Sequence, residues 1–74
     1  MLHENMGTFQ ADKMTKPAEE LLTGDVLETN QVVLEVDQHA KMVTLHLEAP
    51  DGDIRRVRRN RKTRITRVGW YDGI

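Results

Sequence analysis

The residues with the clearest chemical potential form one basic run near the C-terminal end of the chain, DIRRVRRNRKTRITRV at positions 53–68. Seven arginines and one lysine lie between Arg55 and Arg67. A guanidinium group donates two parallel hydrogen bonds to a phosphate and also stacks on flat rings, whereas a lysine acts as a point charge. The excess of arginine over lysine therefore favours phosphate contacts over simple solubility, and the run predicts a surface that binds RNA or single-stranded DNA.

The predicted contacts follow from the position of each side chain in a strand–turn–strand arrangement. Arg61 and Lys62 occupy the tip of the turn, where side chains reach furthest and where few carboxylates can follow them. Trp70 follows the second basic strand and could stack on a base. The alternative is that its ring closes one end of a core that has only three aromatic residues to draw on. The predicted nucleic-acid-binding residues are Arg55, Arg59, Arg61, Lys62, Arg64 and Trp70.

The charge of the chain is divided unevenly between its two parts. Residues 1–54 carry three lysines against eleven acids, a net charge of −8, and residues 55–74 carry eight basic residues against one acid, a net charge of +7. Such a division hints at an anionic partner. Carboxylate–arginine pairs across neighbouring strands would equally neutralise the run within the fold. The division also predicts a homo-oligomer that weakens as salt screens the charges.

A second hypothesis, from a different class of function, is a protein-interaction module. Arginine, tryptophan and tyrosine are enriched at protein interfaces, and a pI of about 6.3 is low for a domain that binds nucleic acid. In this hypothesis the protein is a small accessory factor of the viral or phage type. Its arginine surface or its edge strands then dock on a protein partner or on another copy of the chain.

The sequence predicts no enzyme, no cofactor and no metal site. His3, His39 and His46 do not have the spacing of metal ligands, and the chain contains no cysteine. Serine, the commonest hydroxyl nucleophile, is absent as well. The carboxylates are scattered and form no pair that would serve as acid and base. A binding protein is therefore expected.

Hydrophobic periodicity predicts strands before the basic run. The segment KMVTLHLEA, residues 41–49, alternates with a period of two and places Val43, Leu45 and Leu47 on one face. APDGD, residues 49–53, supplies the residues that a tight hairpin needs. The residues predicted to form the core are Leu22, Val26, Val32, Leu34, Val36, Val43, Leu45, Leu47, Ile54, Ile65 and Val68.

The basic run itself is ambiguous in period. Its apolar residues lie three or four apart, as on one face of a helix, but its β-branched residues favour strands. Two short strands at about 54–59 and 64–68, joined by the turn NRKT, fit better than a helix. Strict alternation cannot bury both Ile54 and Val57, because a spacing of three changes the face. PAEELL, residues 17–22, predicts one short helical turn.

Five or six short strands and one helical turn predict a small antiparallel β-barrel. The segment AEELLTGDVL is similar to the entry of Src-homology-3-like barrels, and this resemblance implies an SH3-like fold. Residues 1–8 are expected to be a flexible N-terminal tail, and residues 9–74 a single barrel domain. No apolar stretch approaches the ~20 residues of a membrane span, and the N-terminus lacks a secretory segment. We therefore expect no membrane partner and a cytoplasmic protein.

Overall fold

The structure is a computed structural model and describes residues 7–72. Six strands and one short 3-10 turn make up the described part, which confirms the prediction of a mainly β chain. The strands are β1 Phe9–Pro17, β2 Asp25–Leu27, β3 Val32–His39, β4 Met42–Glu48, β5 Ile54–Asn60 and β6 Arg64–Tyr71. The 3-10 turn, Ala18–Glu20, lies where PAEELL predicts a helical turn. Within residues 7–72 no helix has the length and hydrophobicity needed to cross a membrane.

All six strands belong to one antiparallel sheet with the order β1-β6-β2-β3-β4-β5. β4 and β5 form the hairpin predicted from APDGD, with Gly52 at a φ of 89° that favours glycine. After β5 the chain crosses to the other side of the sheet, where β6 pairs with β1 on one side and with β2 on the other. The edge strands β1 and β5 do not pair with each other in the described part of the chain. The sheet is therefore open, and the closed SH3-like barrel is not confirmed.

Backbone hydrogen bonds connect the two sides of the sheet at one end. Ala18 N donates to Thr63 O at 2.8 Å, and Glu19 N donates to Arg61 O at 3.1 Å. Arg61 N in turn donates to Lys41 O at 2.9 Å, which continues the β4–β5 pairing. The turn between β5 and β6 is thus attached to both the 3-10 turn and the β3–β4 turn. Its backbone is fixed, although its side chains project into solvent.

One face of the sheet carries the core. The predicted inward alternation in β4 is confirmed, since Val43, Leu45 and Leu47 are buried while Thr44 and His46 between them are only half-buried. The buried apolar cluster consists of Ala18, Leu21, Leu27, Val33, Val43, Leu45 and Leu47. Three half-buried side chains pack against this cluster: Val36, Val57 and Ile65.

A β-bulge in β3 changes the predicted register. Val33 pairs with Leu47 and Glu35 pairs with His46, so Leu34 is an extra residue without a partner in β4. The bulge resets the alternation, and Val33 therefore faces the core fully buried while Leu34 is only half-buried. The prediction that Val32 and Leu34 lie in the core was wrong for this reason.

Two further residues predicted for the core are exposed. Leu22 is 64% exposed, because the 3-10 turn buries the preceding Leu21 instead. Ile54 is 53% exposed and pairs with Glu48 on the face opposite the core. Val57, which lies three residues further along β5, is half-buried. Only one of the two apolar residues of β5 thus faces the core, as strict alternation requires.

Candidate functional site

β5 presents arginines on both faces of the sheet. Directly paired residues of antiparallel strands point to the same face. Arg55, Val57 and Arg59 pair with three core residues of β4, whereas Arg56 and Arg58 pair with the half-buried residues between them. Arg55 and Arg59 therefore share a face, as their spacing predicts, and that face is the one that carries the core. Arg56 and Arg58 lie on the opposite, outer face.

Most of the basic side chains of the run are exposed and have no carboxylate partner within the described part of the chain. Only Arg67 is buried. Among residues 7–72, no carboxylate oxygen lies within 4.0 Å of the guanidinium nitrogens of five arginines, Arg56, Arg58, Arg59, Arg61 and Arg64. Two of these make hydrogen bonds to backbone oxygens, from Arg59 to Arg58 O and from Arg64 to Thr15 O. Each guanidinium has five N–H donors, so both retain donors for a ligand.

Two of the predicted contact residues have a carboxylate partner among residues 7–72. Arg55 Nε lies 2.8 Å from Asp53 Oδ2, and this contact raises the pKa of Arg55. Lys62 Nζ lies 2.7 Å from Glu19 Oε2, and the hydrogen bond from Lys62 holds the pKa of Glu19 below its ordinary value. The expectation that few carboxylates follow the turn was wrong for Lys62. Glu19 reaches it because the backbone ties the 3-10 turn to this turn.

The acids elsewhere in the sheet pair with residues outside the run. Glu28 lies 3.7 Å from Lys13, while Asp37 and Glu35 lie 2.7 Å and 3.5 Å from Nε2 of His46. Cross-strand neutralisation of the arginines by these carboxylates is therefore not formed within residues 7–72. Among the described residues the charges of Arg56, Arg58, Arg59 and Arg61 therefore stay unpaired at the surface, whereas Arg55 and Lys62 are paired with Asp53 and Glu19.

Arg67 is the exception, because it belongs to a buried group of charged side chains. Its guanidinium lies 3.3 Å from Asp25 and 3.0 Å from Asp12, and Lys16 lies 3.1 Å from the same Asp25. Asp25 is 1% exposed and also accepts a hydrogen bond from the backbone N of Leu22. Arg67 thus compensates a buried carboxylate and is not part of the exposed surface.

Trp70 lies apart from the turn that carries the basic side chains. It is six residues along β6 from Arg64, which corresponds to about 20 Å at the rise of an extended strand. The ring is half-buried, and the guanidinium carbon of Arg67 lies 4.7 Å from its centroid. This cation–π contact occupies one ring face. The structure therefore does not bring Trp70 together with Arg61, Lys62 and Arg64.

Three potential metal ligands meet on the outer face of the sheet. Glu35, Asp37 and His46 each place one ligand atom within 4.8 Å of the others. Imidazole and carboxylate groups are donors for zinc and other divalent cations. His46 Nε2 is hydrogen-bonded to Asp37 at 2.7 Å and lies 3.5 Å from Glu35. These contacts with His46 are sufficient to explain why the three side chains lie close together. The linear spacing of these residues does not reveal the cluster, because it joins two strands.

The open side of the sheet leaves a cleft of about 320 Å³ between β5 and the β6–β2 pair. Its floor is the core itself, through Leu27, Leu45 and Leu47, together with the half-buried Val57 and Ile65. Polar residues complete the lining: Glu28, Thr29, Gln31, Arg59, Arg64 and Thr66. Two predicted contact residues, Arg59 and Arg64, are thus brought to the rim of one cleft with an apolar floor.

Sequence reasoning did not identify three features of this surface. It did not anticipate Glu19 as a partner of Lys62, although two acids in PAEELL are the visible signal. It left Arg67 out of the predicted contacts but did not anticipate that this residue is buried against Asp25, because Asp25 is 42 residues away in the sequence. The cleft follows from the open edge of β5, for which the sequence gives no signal. No family model, curated protein or solved structure matches this chain.

Proposed function

We propose that this protein is a non-enzymatic binding module for nucleic acid, RNA or single-stranded DNA, and that the arginine-rich strand–turn–strand is its binding surface. The observation that carries the proposal is the group of five exposed arginines on β5, on β6 and in the turn between them. Among the described residues these guanidinium groups have no carboxylate partner within 4.0 Å. Exposed cations of this kind bind phosphates and release counterions.

Within this strand–turn–strand the proposed phosphate contacts lie on the core-side face of β5, in the turn and at the start of β6, so they include three of the five arginines and leave out Arg56 and Arg58 on the outer face. Arg59, Arg61 and Arg64 have no carboxylate partner in residues 7–72, whereas Arg55 and Lys62 exchange Asp53 and Glu19 for phosphate. Ion pairs that solvent reaches are weak, so this exchange costs little. Trp70 contributes less to binding in this proposal than the sequence predicts, because Arg67 covers one face of its ring.

The test compares two double variants of the same strand. Arg55→Ala with Arg59→Ala removes two charges from the core-side face, and Arg56→Ala with Arg58→Ala removes two charges from the outer face. Affinity for a single-stranded oligonucleotide is measured by fluorescence anisotropy over a series of salt concentrations. Each lost phosphate contact lowers the slope of log affinity against log salt by about 0.7 for a single strand.

The core-side variant should flatten the slope by about 1.4, which is the sum of two contacts. The outer-face variant carries the same change in net charge and should flatten it by less than half as much. Equal effects of the two variants would show that the anion does not follow the core-side face. Failure of the unaltered protein to retain RNA or single-stranded DNA at ~50 mM salt, where such contacts are strong, would refute the proposed function.

A second candidate function is a protein-interaction module, and the edge strands favour it. β1 and β5 each pair on one side only within the described part of the chain, and an unpaired strand edge is a template for another strand. The four basic side chains of β5 select a partner strand that carries acidic residues. Binding of an acidic extended peptide with no measurable affinity for nucleic acid would favour this candidate.

We further propose that the fold is an opened form of the SH3-like barrel. The hydrogen bonds from Ala18 to Thr63 and from Glu19 to Arg61 support this, because they join the end of β1 to the β5–β6 turn. Closure of the remaining seam would bring β5 alongside β1. Protection of the β5 backbone amides from hydrogen exchange distinguishes the two forms, since a closed barrel protects the outer edge of β5 and an open sheet leaves it exposed.

A further inference from the structure

We propose that the cleft between β5 and the β6–β2 pair holds one unpaired base of a single strand, while Arg59 and Arg64 contact the phosphates beside that base. The inference rests on the proposed function and deepens it, because it names the class of nucleic acid. Both arginines line the cleft, and neither has a carboxylate partner within 4.0 Å among residues 7–72.

The chemistry of the cleft matches a flat ring with polar edges. Leu27, Leu45 and Leu47 form the floor, and Val57 and Ile65 form the apolar walls. A base that enters buries its apolar faces against these side chains, and its edges reach polar groups at the rim, which include Thr29, Gln31 and Thr66. The volume of about 320 Å³ is at the lower end of small-molecule sites in proteins, which suits one ring system.

The charges around the opening favour an anionic strand over other apolar ligands. Arg59 projects from β5 and Arg64 from the start of β6, so the two cations stand on opposite walls of the cleft. The acid on the rim is Glu28, whose carboxylate lies 3.7 Å from Lys13. A strand with a phosphate on either side of the inserted base satisfies both arginines at once.

The larger cleft of the described structure provides a contrast. It measures about 500 Å³ and lies beside Phe9 and Tyr71, on the other face of the sheet. Its lining includes Glu48 and no arginine. It therefore offers apolar surface without a cation for phosphate, and the smaller cleft is the one suited to nucleic acid.

Base entry requires a single strand. In a duplex each base is stacked and paired, and extruding one is unfavourable because both interactions are lost. A single strand has little of this cost. The inference therefore predicts a preference for single strands over a duplex of the same length, in addition to the salt-dependent attraction that both share.

The experiment measures the affinity of the unaltered protein for three labelled probes at ~50 mM salt. The probes are an oligothymidylate, an oligomer of the same length and charge that lacks bases, and a blunt duplex. Burial of the faces of one base against aliphatic side chains removes enough apolar surface from water to change affinity about tenfold or more. The oligothymidylate should therefore bind at least about tenfold more tightly than the abasic oligomer.

Two variants of β5 test whether the preference for the intact over the abasic oligomer arises in the cleft. Val57→Asp places a carboxylate in the cleft, and Ile54→Asp makes the same change on the outer face of the same strand. The ratio of intact to abasic affinity should fall to about one in Val57→Asp and should stay near the unaltered value in Ile54→Asp. If circular dichroism shows that Val57→Asp does not fold, the ratio measured on the unaltered protein decides alone.

The outcomes separate the inference from the function on which it rests. Equal affinity for the intact and abasic oligomers, a duplex bound as tightly as the single strand, or an unchanged ratio in a folded Val57→Asp variant each overturn the base-binding inference and leave the binding of polyanions standing. Absence of binding to all three probes overturns the proposed function itself, and the inference with it.

Discussion

Arg67 and Arg58 show at the scale of single residues that the side chains of one basic run lie in two different environments. Arg67 is 8% exposed and contacts Asp12 and Asp25, whereas Arg58 is exposed without a carboxylate partner in residues 7–72. Removal of one member of a buried charge pair leaves the other uncompensated, which typically costs about 3–5 kcal/mol. The same change at an exposed site usually costs less than ~0.5 kcal/mol.

We predict that Arg67→Met lowers the free energy of unfolding by about 3 kcal/mol, most of the stability expected for a chain of this size. Lys16 remains beside Asp25 and keeps the loss at the lower end of the range. Arg58→Met is the matched control and should unfold at nearly the same urea concentration as the unaltered protein. Equal midpoints for both variants would contradict the structural role assigned to Arg67.

Glu19 holds the ion pair that a phosphate has to displace from Lys62 in the proposed binding mode. The carboxylate lies 2.7 Å from the ammonium group, and the hydrogen bond and charge of Lys62, with the charge of Arg61, lower the pKa of Glu19. A lowered carboxylate pKa means that the pair stabilises the fold above the ordinary glutamate pKa. This contribution is lost as the pH falls through the pKa of the folded state. At neutral pH the pair is therefore intact.

We predict that Glu19→Gln strengthens binding of a single-stranded oligonucleotide. Release of Lys62 should add one phosphate contact and steepen the slope of log affinity against log salt by about 0.7. Glu20→Gln is the control, because it removes the same charge from the next residue, which has no ion pair among the described residues. If both variants steepen the slope equally, general charge is responsible and not the release of Lys62.

At the level of the strands, Gly69 allows β6 to pack closely against Phe9 and Gln10 of β1. A Cβ atom at this position would lie 2.5 Å from Phe9 Cζ and closer still to the carbonyl oxygen of Gln10. Contacts this short force the neighbours to move, and overpacking of this kind typically costs about 1–3 kcal/mol. The ring of Phe9 can shift, but the Gln10 backbone is held in the β1–β6 pairing.

We predict that Gly69→Ala lowers the free energy of unfolding by about 2 kcal/mol, measured by urea denaturation. Adding Phe9→Ala should not restore the stability, because the contact with the Gln10 carbonyl remains. Gly52→Ala is the control for the steric effect, since a Cβ there meets nothing within 4 Å. Its cost is limited to the backbone strain of an alanine at a φ of 89°. Full recovery in the double variant would show that only the ring opposes the substitution.

The strands were predictable from the sequence, and the register of one of them was not. Alternation and turn residues identify β4, its hairpin with β5 and the division of the basic run into two strands. Alternation fails in β3 because the bulge at Leu34 brings Val33 into the core. A bulge depends on the pairing with β4, which a local pattern does not contain. Alternation requires that only one of Ile54 and Val57 faces the core, and the pairing with β4 decides that it is Val57. Ile54 is therefore exposed.

The candidate surface was predictable in outline at the scale of the whole molecule. Composition identifies the basic run, and strand geometry places Arg55 and Arg59 on one face. Which basic residues are free of carboxylates depends on contacts between distant segments, such as Arg67 with Asp25 and Lys62 with Glu19. Those contacts exist only after the sheet has formed.

For the whole molecule we predict self-association at low salt. The arginine surface of one copy attracts the acids of another, and the edges of β1 and β5 offer surface to bury. Sedimentation equilibrium should show oligomers at low salt that dissociate as the screening length falls toward ~3 Å at about 1 M salt. A single monomeric species at every salt concentration would contradict the prediction.

The pairing of β1 with β6 places both ends of the described chain side by side. Asp72 N donates to Thr8 O at 2.9 Å, and the rings of Phe9 and Tyr71 meet edge to face at 5.4 Å. The arginine turn lies at the other end of the same strand pair. A circular permutant that joins the two ends of the described chain through a short glycine-rich linker and opens the exposed turn at Gly52 should therefore keep both the sheet and the proposed binding surface.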